Sequence, residues 1–227
     1  MIDAALFSLP PSRGYFITGT DTGVGKTHAA CLLIEALKRQ GLRVAAMKPV
    51  AAGVGTDGMN EDVRRLVAAS NVRAPLEQVN PYCFAPAIAP HVAAQQAGVC
   101  MSLEVMEQAY EKLAAQSDAV VVEGAGGFLV PMDEARGMDA IPLRLKLPVI
   151  LVVGLRLGCL NHALLTAEAI RARGLVLAGW VGNRIDPHME MGEENLTALR
   201  SLLRLPCLGL IARNGMSLEH DDPPKPC

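Results

Sequence analysis

Aromatic side chains are scarce in this chain: one Trp, three Tyr and four Phe stand among 227 residues, against a hydrophobic share of 51%. An interior of Val, Leu, Ile and Ala is what parallel strands covered on both faces require, and it excludes a core organised around stacked rings. Net charge is nearly absent too, with 21 basic residues facing 23 acidic ones for a balance of −2. No overall field therefore draws the protein to nucleic acid or to an anionic membrane, and neither is expected as a partner. No CxxC pair occurs among Cys31, Cys83, Cys100, Cys159, Cys207 and Cys227. Buried free thiols are expected rather than a metal knot or a disulfide framework. No apolar run approaches the roughly 18 residues of a membrane span, because Gly154 and Arg156 interrupt the longest, which begins at Pro148. The opening from Met1 to Pro10 is short, carries Asp3 and has no basic segment ahead of it, unlike a signal peptide. A soluble, cytoplasmic protein is expected, with residues 1–13 a frayed extension.

What is present is an alternation. Short β-branched runs (Tyr15 to Thr18, Arg43 to Met47, Ala119 to Glu123, Val149 to Val153, Leu177 to Val181, Leu208 to Ile211) are separated by helical patterns. Those patterns cover Thr27 to Gln40, Asn60 to Ala69, Ser102 to Gln116 and Asn161 to Arg173. This order predicts an α/β fold, a doubly wound and mostly parallel sheet flanked by helices, as one domain over residues 14–214. The proline-bearing stretch from Asn71 to Pro90 reads as one long irregular connection, and residues 215–227 as a disordered tail. In such sheets ligands gather at the carboxyl ends of the strands, so the residues just after each strand are the ones to inspect.

Directly after the first strand comes Gly19-Thr-Asp-Thr-Gly-Val-Gly-Lys-Thr27, opening a helix. Glycines let backbone amides approach phosphate oxygens, the helix N-terminus adds partial positive charge, Lys26 adds a full one, and the Thr27 hydroxyl suits Mg²⁺. Five residues separate Gly19 from Gly25, one more than in the usual GxxxxGK[ST], which makes this a variant P-loop. The second strand ends in Lys48-Pro-Val50. A lysine there would point into the same crevice and stabilise charge on a transferring phosphoryl group; taken alone it is as readily a solvated surface residue. Magnesium takes one or two carboxylates beside substrate phosphates. Glu123, which closes an apolar strand before Gly124-Ala-Gly-Gly127, is one candidate. Asp62 is the other, although it would equally serve as a favourable charge in the first turn of a helix capped by Asn60.

These residues carry a likeness. The blocks Gly19 to Thr27, Lys48-Pro-Val50, Val122-Glu-Gly-Ala-Gly-Gly127, Leu157-Gly-Cys-Leu-Asn-His162 and Ala178-Gly-Trp-Val-Gly-Asn183 together resemble the dethiobiotin synthetase family from about Tyr15 to Ala212. The resemblance implies a P-loop NTPase-type fold, a homodimer, and a cyclo-ligase of biotin biosynthesis. Such an enzyme joins CO₂ to 7,8-diaminopelargonic acid with MgATP, through a carbamate and a carbamic-phosphoric anhydride. It further implies that Lys26 and Lys48 are catalytic and bind the phosphates and the carbamate, while Thr27, Asp62 and Glu123 serve the metal. Nucleotide would be held by Gly23 to His28 (with Val24 and Gly25 between) and by Gly124, Ala125 and Gly126. On the base side it would meet Asn183, Arg184, Ala212, Arg213 and Asn214, with Asn183 reading the adenine edge unless it is simply a turn residue. Thr22 and Ala52 would lie beside the substrate. Gly158, Cys159, Leu160 and Asn161 would hold its carboxylate across the dimer, unless Asn161 is a plain helix cap.

Two departures stand out. Members of the family have a hydroxyl residue where this chain has Ala52, which removes a hydrogen bond of about 1 kcal/mol. Ile211-Ala-Arg213 replaces a proline and an aromatic near the adenine. The competing reading is an ATP switch of the partition or division-site type, which shares the fold but carries a lysine where this chain has Asp21. A P-loop amide synthase would need a glutamine-hydrolysing domain, for which no residues remain.

Overall fold

The computed structural model describes residues 9–211 and the short strand at 218–219. Seven strands form one sheet in the order β2-β5-β1-β6-β7-β8-β9. They are β1 (Gly14–Gly19), β2 (Val44–Met47), β5 (Ala119–Gly127), β6 (Val149–Gly154), β7 (Leu177–Asn183), β8 (Cys207–Ile211) and β9 (Leu218–Glu219). All neighbours run parallel except β8 and β9. The alternation of side chains sorts the core into two layers. Phe16, Val120, Val122, Leu151 and Val153 face one, whereas Tyr15, Ile17, Val121, Ile150 and Val152 face the other. Both faces are thus aliphatic and covered, as the composition implied.

The helices are α1 (Lys26–Arg39), α2 (Glu61–Ala69), α3 (Leu76–Val79), α4 (Pro90–Gln96), α5 (Leu103–Ala115), α6 (Ala140–Leu145), α7 (Cys159–Ala172) and α8 (Gly192–Leu203). Among the described residues no helix is long and apolar enough to cross a membrane. Asn60 caps α2 as expected, accepting from the Val63 N–H, and its amide donates to the Gly53 carbonyl at 2.6 Å. Ser102 likewise caps α5.

The stretch from Asn71 to Pro90 is not one irregular connection. It holds the single turn α3 and a strand, β4 (Tyr82–Phe84), which pairs in parallel with β3 (Val50–Ala52) in a separate two-stranded sheet. The prolines fit where they fall, Pro75 just before α3 and Pro90 opening α4, positions that need no backbone donor. This segment also fixes the chain beyond β2: the Lys48 N–H donates to the Val79 carbonyl at 2.8 Å, and the Asn80 amide donates to the Lys48 carbonyl at 2.6 Å.

The expectation of buried thiols holds only for Cys159. Cys83 and Cys100 are exposed, Cys31 and Cys207 are intermediate, all five are free, and Cys227 lies outside the described residues. Of residues 1–13, the last five are described, with Leu9 buried and the Pro10 carbonyl accepting from the Tyr15 hydroxyl. Within residues 215–227, β9 pairs antiparallel with β8; the rest of that segment lies outside the described residues.

Candidate active site

The loop after β1 leads into α1 without a side-chain cap, since the capping position is Gly25 in the left-handed region (φ 93°). The first amides of the helix are therefore left for another acceptor, the arrangement that suits an anion. A methyl group on Gly25 would stand 2.2 Å from Nδ2 of Asn183, so any other residue there would displace the Asn183 amide as well as strain the left-handed backbone. The Asn183 amide donates to the Val24 carbonyl at 2.9 Å. Asn183 thus braces the loop from the end of β7.

Lys26 is buried and donates from Nζ to the Asp21 carbonyl at 2.9 Å, so the loop folds around its ammonium. Burial lowers its pKa to about 8 despite the opposing charge of Glu123. Lys48 is 4% exposed, which excludes the solvated reading. Its Nζ donates to Glu123 Oε1 at 2.6 Å and to Asp62 Oδ2 at 2.9 Å. Burial works against its charge, but Glu123 and Asp62 outweigh burial and raise its pKa. At Asp62 burial is likewise overcome, by Lys48 above all, and the carboxyl is held below its ordinary value. Asp62 thus sits in the first turn of α2 and in the cluster at once, so its two readings coincide. Thr27 completes the group, donating its hydroxyl to Glu123 Oε1 at 2.9 Å.

Glu123 is 1% exposed, and its Oε2 is buried without a hydrogen-bond partner. An unsatisfied buried carboxylate oxygen costs a few kcal/mol and needs an explanation. With Asp62 and the Thr27 hydroxyl it forms a set of hard oxygen donors beside a phosphate loop, the set that magnesium takes when phosphates supply its other ligands.

These groups open onto a cleft of about 630 Å³. Thr22, Gly23, Gly25, Lys26, Thr27, His28, Lys48, Ala52, Asp62, Glu123, Ala125 and Gly126 all line it, so the structure brings most of the expected residues together. Val24 and Gly124 pack behind it, the first buried and the second against the Phe16 ring. Arg184 turns away to pair with Glu193 at 2.6 Å. Ala212, Arg213 and Asn214 lie outside the described residues. Gly158, Cys159, Leu160 and Asn161 open α7 outside the cleft. The N-cap there is Gly158 rather than Asn161, which is exposed in the first turn without a capping bond; the Cys159 side chain is buried. Sequence reasoning missed the wall formed by Ala87 to Pro90, which arrives with the β3–β4 sheet and has no motif of its own. It also missed Arg65, one turn after Asp62; their spacing of three on a helix was the available signal.

Comparison with known proteins fits this geometry. A family described as "AAA domain" matches residues 13–217. The ATP-dependent dethiobiotin synthetase BioD of Nitrosospira multiformis is 53% identical over 199 residues, covering 88% of each chain. The chain belongs to the dethiobiotin synthetase family. It is accordingly an enzyme, an ATP-dependent ligase. Another dethiobiotin synthetase, from Aromatoleum aromaticum, is 50% identical over 88% of this chain and 90% of its own. Among solved structures, the septum site-determining protein MinD with Mg-ADP from Pyrococcus horikoshii covers 89% of this chain and 84% of its own, with a TM-score of 0.57. The MinC:MinD complex of Aquifex aeolicus covers 88% and 81% at 0.54. At 17% identity these two share the P-loop fold alone with this dethiobiotin synthetase family member, and the division-site switch reading is not favoured.

Proposed function

We propose that the protein carboxylates 7,8-diaminopelargonic acid with CO₂ and closes the ring to dethiobiotin, converting ATP to ADP and phosphate. The observation that carries this reading is the hydrogen-bonded group Lys48, Glu123, Asp62 and Thr27 at the mouth of the phosphate loop. An amine of the diamine loses a proton and adds to CO₂, giving a carbamate. A carbamate oxygen attacks the γ-phosphorus as ADP leaves. The second amine attacks the carbonyl carbon, phosphate departs, and a proton is lost as the ureido ring closes. Lys26 would leave the Asp21 carbonyl for the phosphate oxygens, and Lys48 would offset charge on the transferring group. Thr27, Asp62 and Glu123 would hold magnesium, which when bound neutralises the β- and γ-phosphates.

A homodimer follows from the same reading, with Gly158 to Asn161 serving a site shared between subunits. Leu157, 91% exposed beside this segment, supports a partner subunit covering it. The test is incubation of the protein with MgATP, bicarbonate and diaminopelargonate. Dethiobiotin and phosphate should appear in equal amounts; protein that binds MgATP yet makes neither would defeat the assignment.

A further inference from the structure

Among the described residues, five Lys, Arg, Asp and Glu side chains line the cleft: Lys26, Lys48, Arg65, Asp62 and Glu123. Both carboxylates receive hydrogen bonds from within the group, and without Arg65 the fixed charges would cancel. A magnesium-bound triphosphate brings about two net negative charges, and a carbamate about one more. Among the described residues the site therefore takes up an anion without net positive charge to meet it, and Arg65 is the remaining Lys or Arg on its wall.

Geometry places it well. Arg65 follows Asp62 by three residues on α2, so the two share a face, and a long helical side chain is directed back toward the helix N-terminus. For α2 that end borders the cleft through Asp62. The Arg65 carbonyl accepts from Cys31 Sγ on α1, one turn past Thr27, which sets this turn of α2 against the phosphate-binding end of α1. The adjacent Arg64 is taken by Asp57. Arg65 has no side-chain hydrogen bond or ion pair among the described residues. Asp62, its natural i,i+3 partner, is held by Lys48 instead.

We propose that the Arg65 guanidinium contacts the phosphate tail of bound MgATP on the side lined by Thr27 and His28, as a third nucleotide-binding cation beside Lys26 and Lys48. An uncommitted guanidinium suits this task, because its planar donors grip phosphate oxygens in pairs and no internal ion pair has to be broken first.

The proposal rests on the MgATP reading, and direct binding measurements separate the two. Titration calorimetry with MgATP, MgADP and adenosine is run on the wild type, Arg65→Gln, Arg65→Lys and, as a control outside the cleft, Arg64→Gln. Arg65→Gln should weaken MgATP and MgADP by about tenfold, leave adenosine within about twofold, and flatten the salt dependence of binding. Arg65→Lys should recover about half of the loss on a logarithmic scale, and Arg64→Gln should match the wild type. Melting temperatures should agree within a few degrees, since Arg65 is exposed. MgATP affinity in Arg65→Gln within twofold of the wild type, or a loss shared equally by adenosine, would overturn the proposal alone. A wild type that binds neither nucleotide would overturn the ATP reading and this proposal with it.

Discussion

Asp21 and Arg156, 135 residues apart in sequence, meet at 2.6 Å, and through them the phosphate loop is tied to the turn that opens α7. Asp21 is a junction: its carbonyl holds Lys26, one carboxylate oxygen accepts from the Thr22 N–H at 2.7 Å, and the other accepts from Arg156. The Thr22 N–H first, with Arg156, holds the carboxyl below its ordinary pKa against the effect of burial. On the other side, the Arg156 carbonyl accepts from the N–H of Cys159, in the first turn of α7. Loop and helix are therefore joined through Arg156.

Arg156→Ala should loosen that junction without unfolding the protein. The pair is about half exposed, so its loss costs stability no more than about 1 kcal/mol. Steady-state kinetics should instead record a rise in KM for the diamine of about fivefold, with KM for ATP changed less than twofold. If kcat fell while both KM values stayed constant, the link between the loop and the proposed substrate segment would be refuted.

Lys48→Ala has a different signature, because Lys48 is the counter-charge of a carboxylate buried to 1% exposure. Removing it leaves Glu123 charged and unpaired, which costs about 3 kcal/mol in denaturant unfolding. MgATP binding should survive, while kcat falls by at least about 100-fold. Adding Glu123→Gln should return most of the stability and none of the turnover. Near-normal turnover in Lys48→Ala would remove its catalytic role. The pH dependence follows from the signs of the shifts. Lys48, raised, contributes stability that is present below the ordinary lysine pKa and lost as pH climbs through its raised value. Asp62, lowered, contributes stability present above the ordinary Asp pKa and lost as pH falls through its depressed value.

Ala52 lines the cleft, where the resemblance implies a hydroxyl residue, and its methyl side chain leaves no donor there. Ala52→Ser should restore a hydrogen bond of about 1 kcal/mol, lowering KM for the diamine by about fivefold with ATP unaffected. Unchanged diamine affinity would show that this position does not meet the substrate.

Part of the site's chemistry was legible because a polar residue closing an apolar run has no core reason to exist. Glu123 after four buried residues and Lys48 after β2 are of this kind. What stayed hidden depends on partners distant in sequence. The β3–β4 pairing joins three-residue strands too short for a periodic signal. The Asn80 tie to the Lys48 carbonyl spans 32 residues, and the Asn183 brace on Val24 spans 159. Cys83 and Cys100 are exposed although apolar neighbours surround them in sequence, because short loops and edges turn such neighbours outward as readily as inward.

Lys26 provides the most direct test of the phosphate site, through protons. With a pKa of about 8 it is about half neutral at pH 8, because burial disfavours its charge. A depressed lysine makes stability rise with pH between the folded value of about 8 and the unfolded 10.5, since the unfolded chain binds the extra proton across that window. Phosphate oxygens reverse the preference, as an ammonium among them is strongly favoured charged. Binding of MgATP at pH 8 should therefore take up about half a proton, falling toward about a tenth at pH 7. Calorimetric titrations in buffers of different ionisation enthalpy measure this uptake directly. It should vanish in Lys26→Gln, whose residual affinity is checked at raised nucleotide concentration. Binding at pH 8 without proton uptake in the wild type would place the Lys26 ammonium away from the triphosphate.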